Sequence, residues 1–156
     1  MGLEIERKFL VLDDSWRAGA RSVDCIQGYL VSRGPLSVRV RVMGDQAFLT
    51  IKKSLGILSN HEFEYPVPVG DARDMLAKLC EGYPVEKTRH YVEHGGMTWE
   101  VDEFHGMNAG LIVAELELES EDQAFAHPAW LGDEVSADGR YKNSSLSRAP
   151  YATWGK

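Results

Sequence analysis

Residues Val38-Arg39-Val40-Arg41-Val42 alternate valine with arginine without a break. A strand sends successive side chains to opposite faces, so this stretch has one face of valines and one face of arginines. Two guanidinium groups two residues apart on one face repel unless an opposite charge lies between them. The same alternation recurs along the chain, often with pairs of one sign. Glu4 and Glu6, followed in phase by Lys8, oppose Leu3, Ile5 and Phe9. Thr50 and Lys52 oppose Leu49 and Ile51, and Glu62 pairs with Glu64. Lys87 pairs with Arg89, and Glu100 with Asp102 against Trp99 and Val101. Glu115, Glu117 and Glu119 oppose Ala114, Leu116 and Leu118, while Gln27 and Tyr29 hold a more polar phase.

This periodicity predicts eight strands, at roughly 2–11, 24–33, 36–43, 46–53, 60–67, 85–94, 97–105 and 111–119. Arg33-Gly34-Pro35, Gly44-Asp45 and Gly95-Gly96 supply turns, and the short spacings favour antiparallel neighbours. Three segments read as helical. Asp13-Asp14-Ser15 caps a short one around Trp16. Gly70-Asp71 opens a second, with Ala72, Met75, Leu76 and Leu79 on one stripe and Gly82 after it. Ser120 to Trp130 is expected to hold a third. The tail from Asp138 carries no readable period.

The chain has 156 residues, which suits one domain over 1–156. It carries 17 Lys plus Arg against 24 Asp plus Glu, a net charge of −7, which excludes a generally basic nucleic-acid surface but allows a local cationic pocket. Cys25 and Cys80 are too few for a disulfide scaffold and lack CxxC spacing, so reduced core thiols are expected. The five histidines show no HxH spacing and read as surface or core residues. The N-terminus lacks a signal-peptide pattern, and no apolar run approaches the ~20 residues of a membrane helix. Cytoplasmic location and no membrane association are the expectations.

One wet sheet face would ordinarily mix signs. Pure same-sign pairs repeated on strand after strand instead suggest a closed, eight-stranded antiparallel β-barrel, mainly β with a few covering helices, whose polar faces turn inward as a tunnel. Such an interior is costly unless its charges are paired or bind ions. Acidic pairs suit a hard divalent cation with oxygen ligands, and basic pairs suit phosphate. Both halves together imply a metal–polyphosphate complex. The apolar outer faces then need covering by helices or a partner copy, so a homodimer is allowed.

The segment LEIERKFLV carries an ExExK signature as Glu4, Glu6 and Lys8. VRVRV, LTIKKS, HEFEYPV, VEKTRHYV, WEVDEFHG, VAELELES and DEVSADGRYKNSSL follow in order. Together, over residues 2 to about 146, they resemble the CYTH superfamily of triphosphate tunnel metalloenzymes, in its compact bacterial form. The resemblance implies an eight-stranded tunnel and divalent-metal-dependent attack on triphosphates. The last ten residues offer little of the long C-terminal helix of some relatives.

On that basis Glu4, Glu6, Glu115 and Glu117 are candidate ligands for Mg²⁺ or Mn²⁺. Lys8, Arg39, Arg41, Lys52, Arg89 and Lys142 are candidates to hold the triphosphate. Glu62, Glu64, Glu100 and Asp102 are supporting carboxylates that orient the basic groups or hold water. Glu119 reads as a solvated strand end. Lys87, made neutral by crowded cations, and Tyr29 are a candidate pair to activate water, with a carboxylate as the alternative base. Hydrolysis of inorganic tripolyphosphate is the leading expectation, because every strong signal concerns phosphate and metal. Thiamine triphosphatase, nucleoside triphosphatase and class IV adenylyl cyclase are the alternatives. A non-catalytic polyphosphate-binding module is the alternative of another class.

Overall fold

The computed structural model describes residues 2–155. The alternating stretches form β1 (Gly2–Val11), β2 (Arg21–Arg33), β3 (Leu36–Met43), β4 (Gln46–Ser54), β5 (Ser59–Pro66), β6 (Glu81–His94), β7 (Met97–Phe104) and β8 (Ile112–Leu118). All are paired antiparallel in the order β5-β4-β3-β2-β6-β7-β8-β1, and β1 also pairs with β5, which closes the barrel. β2 and β6 begin earlier than their periodicity suggested. A ninth strand, β9 (Leu131–Glu134), adds to β1 outside the ring.

The β6–β7 hairpin turns at Gly95 and Gly96, with φ of 61° and 76°. A two-residue turn whose twist matches the strands needs positive φ at both positions, which only glycine adopts freely.

Much of the apolar outer surface is covered by the chain itself. Trp99, fully buried on β7, meets Phe9, Phe125 and Trp130 edge-on at ring distances of 5.7, 5.7 and 5.5 Å. Trp16, from the 3₁₀ turn Ser15–Arg17, joins the same cluster. Burying each such large side chain contributes roughly 1.5–3 kcal/mol. Phe125 and Trp130 lie on the segment expected to be a third helix. That expectation fails: residues 120–130 are irregular. Pro128 disfavours helix in the residue before it, and packing of Phe125 and Trp130 on Trp99 decides the path.

α1 (Val69–Lys78) covers β3 and β4, with Ala72, Met75 and Leu76 against Val40, Val42 and Ala47. Leu79 was expected on that stripe, but the helix ends one residue before it and it is 57% exposed.

One end of the barrel is filled. Beyond the charged positions the inward phase turns apolar: Leu10 follows Lys8, Val113 precedes Glu115, Phe104 follows Asp102 and Val85 precedes Lys87. These residues meet Leu146 of α2 (Asn143–Arg148), with Tyr141, Tyr151 and Trp154 around them. α2 approaches β6 closely at Gly82, where a Cβ would lie 2.6 Å from the Ser147 carbonyl oxygen. The tail without a readable period is therefore the plug.

Candidate active site

The barrel encloses a cavity of about 360 Å³, within the range of about 300–1,000 Å³ typical of small-ligand sites. Its walls carry Glu4, Glu6, Lys8, Tyr29, Arg39, Arg41, Lys52, Glu62, Glu64, Lys87, Arg89, Glu100, Glu115, Glu117 and Lys142. Every candidate residue is thus brought to one tunnel except Asp102, which lies behind the wall with no exposure. None of the five histidines lines it. His90 sits outside, hydrogen-bonded to Ser22 and Glu103.

One side of the tunnel is basic. Glu64 accepts hydrogen bonds from Arg41 Nη2 at 3.1 Å and from Thr50 Oγ1 at 3.0 Å. Arg39 Nη2 reaches Thr50 at 3.4 Å, and the Tyr29 phenol packs against the Arg39 guanidinium. Among the described residues, the buried Nε atoms of both Arg39 and Arg41 find no acceptor. Burial, then Arg39 and Arg89, push the Arg41 guanidinium below its ordinary pKa. One shared carboxylate therefore leaves this wall short of negative charge.

The opposite side is acidic. β1 and β8 are neighbours, so Glu6 faces Glu117 and Lys8 faces Glu115 across one ladder. Lys52 Nζ lies 2.9 Å from Glu4, 3.4 Å from Glu62 and 3.9 Å from Glu6. Those carboxylates hold the Lys52 pKa up against the effect of burial. A single ammonium does not neutralise the group. Glu115 is pushed up by burial and by Glu6, and Glu100 by burial and by Glu115. Glu117 keeps solvent contact through the tunnel, yet partial enclosure, with Glu100, Glu4 and Glu6 nearby, raises it to about 7. Among the described residues no three acidic, His or Cys side chains gather into a metal-sized cluster.

Between the two sides sits a buried network. Asp102 accepts two hydrogen bonds from Arg89, at 2.8 and 3.0 Å, and lies 2.8 Å from Lys87 Nζ. Arg89 also reaches Glu100 at 3.3 Å. Asp102 stays ionised because two cations hold it against the cost of burial. Lys87, 2% exposed, is pushed down by burial and by Arg89, with Asp102 opposing. One carboxylate shared by two cations leaves the ammonium the weaker claimant, since Arg89 takes both oxygens. Lys87 also donates to Asn143 Oδ1 at 3.1 Å. Its polar partners are Asp102 and Asn143, while Tyr29 stands against Arg39, so the described contacts do not join Lys87 to Tyr29.

Sequence reasoning did not single out Asn60, Asn143, Ser136 or Asp138 on the cavity wall. Asn143 lies next to Lys142 in a polar tail with no period to read.

The fold and the charged tunnel define the class, and the family follows: the chain matches the CYTH domain over residues 2–151 and belongs to the CYTH family. It is 46% identical over 151 residues to the inorganic triphosphatase of Acetivibrio thermocellus, covering 97% of each chain. It is 41% identical over 149 residues to the inorganic triphosphatase of Nitrosomonas europaea, covering 92% of this chain and 96% of that one. Among solved structures it is similar to the inorganic triphosphatase NE1496, with a TM-score of 0.68 and 36% identity over 92% of this chain and 93% of that one.

Proposed function

We propose that this chain is a single-domain, divalent-metal-dependent hydrolase that splits inorganic tripolyphosphate into pyrophosphate and phosphate. The observation that carries this reading is the pair of uncompensated walls. Buried arginine N–H groups without acceptors face one side, and carboxyls pushed upward by their neighbours face the other. A metal–polyphosphate complex supplies the anion to the first and the cation to the second. Its relatives carry the inorganic triphosphatase name.

In this reading Lys8, Arg39, Arg41, Lys52, Arg89 and Lys142 hold the phosphate oxygens. Fixed cations in a water-poor tunnel stabilise charge moving onto the leaving pyrophosphate. Glu4, Glu6, Glu115 and Glu117 hold Mg²⁺ or Mn²⁺, hard cations suited to an all-oxygen donor set. The bound metal neutralises phosphate charge. Glu64 and Asp102 fix the arginines, while Glu62 and Glu100 balance Lys52 and Arg89. Water attacks the terminal phosphorus as the bridging P–O bond breaks. Lys87 is the candidate to take its proton, with Tyr29 holding Arg39 in place. Near-native turnover by a Lys87→Ala variant removes Lys87 from that role.

The test is phosphate release from tripolyphosphate, pyrophosphate, ATP and thiamine triphosphate, measured side by side with Mg²⁺, Mn²⁺ or chelator. Metal-dependent turnover of tripolyphosphate alone is expected. Preference for an organic triphosphate overturns the substrate, and no turnover points to a binding module.

The two free thiols suit the reducing cytoplasm. No helix among the described residues is long and apolar enough to cross a membrane. Outside the barrel, Leu3, Ile51, Phe63 and Tyr65 form an exposed apolar face on β1, β4 and β5 that a second copy would cover. A dimer in sedimentation, dissociated by Phe63→Glu, is the expected result.

A further inference from the structure

The first residue of α2 sits at the heart of the tunnel floor. Asn143 Oδ1 accepts from Lys87 Nζ at 3.1 Å and from Gln27 Nε2 at 3.1 Å. Gln27 is fully buried, and its Oε1 accepts from the Cys25 thiol at 3.7 Å. The orientation of each amide is therefore fixed by its neighbour. Reversing Asn143 alone would set an NH₂ group against two donors. Reversing Gln27 alone would take its donor from Asn143 Oδ1 and offer an NH₂ in place of the acceptor to the Cys25 thiol.

Lys87 Nζ has three positions besides its carbon. One points to Asp102 Oδ2 at 2.8 Å and one to Asn143 Oδ1. The Phe104 ring lies 5.6 Å away and offers no lone pair. One position remains, and Lys87 lines the tunnel. Without Asn143, Nζ could swing about its Asp102 contact, and the third position would lose its aim. A carboxylate in place of the amide would hold Nζ equally well but would add charge.

We propose that Asn143 is a positioning residue for the hydrolysis reaction: with Asp102 it fixes the Lys87 amine so that its one remaining position faces the substrate, and its neutral amide does so without adding a counter-charge. This rests on the triphosphatase reading above and ties docking of the plug helix to assembly of the reacting centre. Group orientation within a fraction of an ångström governs rate more than affinity. The effect therefore falls on kcat, because the phosphate-holding arginines are untouched.

The test uses the full chain with tripolyphosphate and Mg²⁺ or Mn²⁺. Wild-type turnover is measured first; if there is none, the triphosphatase reading fails and the Asn143 proposal falls with it. Given turnover, Asn143→Ala is expected to lower kcat about 10–100-fold while KM stays within about threefold. Asn143→Asp restores the acceptor and most of kcat at its own optimum. Lys87 already faces Arg89 from its own strand, Asp102 from β7, Cys25 from β2 and Glu115 from β8. A new carboxylate holds the Lys87 proton to higher pH, so the limb of the rate profile governed by Lys87 moves up by about one unit or more. Melting temperature and stabilisation by tripolyphosphate check that each variant folds and binds. If Asn143→Ala does not fold, Asn143→Asp carries the pH readout, and Gln27→Met, which frees the amide to turn, is expected to lower kcat in the same direction. Wild-type kcat in folded Asn143→Ala overturns the proposal. So does an unmoved limb in Asn143→Asp, which reduces the residue to packing.

Discussion

Glu6 and Glu117 stand directly opposite each other across the β1–β8 ladder, both turned into the tunnel. Like charges at such positions cost a few tenths to about 1 kcal/mol. Glu117→Gln is therefore expected to raise the metal-free melting temperature by roughly 2–4 °C, while lowering the response to metal. Differential scanning calorimetry with chelator and with Mg²⁺ measures both.

The same crowding sets a pH dependence. Glu117 is raised to about 7, above the usual glutamate value of about 4.3. Between those values the folded chain holds more protons than the unfolded one, so this residue's contribution to stability falls as pH rises through that window. If Glu117 holds the metal as proposed, metal capture displaces that proton. Calorimetric titration of the metal near pH 6.5 in two buffers of different ionisation heat is expected to report proton release, and little of it for Glu117→Gln.

The unpartnered Nε atoms make Arg41 costly until an anion arrives. Arg41→Gln is expected to leave the ligand-free melting temperature nearly unchanged. It is expected to lower kcat/KM for tripolyphosphate about 10–100-fold, the loss of a charged hydrogen bond worth about 1.5–3 kcal/mol. Steady-state kinetics and thermal shift with tripolyphosphate check the two halves.

On the outer wall, Glu103 is held down to about 2 by two hydrogen bonds from Arg17, with His90 adding to them. Its unfolded value is about 4.3. Its stabilising share is complete above that value and is lost as pH falls towards about 2. The stability gap between wild type and Glu103→Gln is expected to close over that acid window in urea titrations, with turnover at neutral pH unchanged.

Leu146 is fully buried in the plug. Leu146→Ala is expected to cost about 2–5 kcal/mol and to loosen α2. Denaturant unfolding measures the cost, and hydrogen exchange at Gly82 and Ser147 reports the loosening.

Much of this arrangement is legible in the chain because a strand's two-residue period is rigid. Once Arg39 and Arg41 share a face, the phase of β3 is set, and the ladder carries that phase to Thr50, Glu64 and Gln27. The closed end is written in the same phase, where Lys8 gives way to Leu10 and Asp102 to Phe104. It escapes notice because an apolar residue at a strand end resembles ordinary core. Residues 120–130 and α2 are less legible for another reason. Neither is stabilised by its own period. Phe125 and Trp130 are placed by Trp99, and Asn143 by Lys87 and Gln27, partners distant in sequence. Leu79 shows the limit of helical spacing, since the stripe continues where the helix does not.

The position of β1 between β5 and β8 has a consequence for how the protein is made. Glu4 and Glu6 leave the ribosome before the rest of the barrel, yet their strand gains its last barrel neighbour only when residues 112–118 emerge. Closure therefore waits for long-range pairing, which slows folding relative to a simple meander. A nascent or truncated chain lacks Glu115, Glu117 and the plug that seats Lys87. The acidic wall and the seat of the Lys87 amine come together only at the final step, so an unfinished chain has no assembled tunnel.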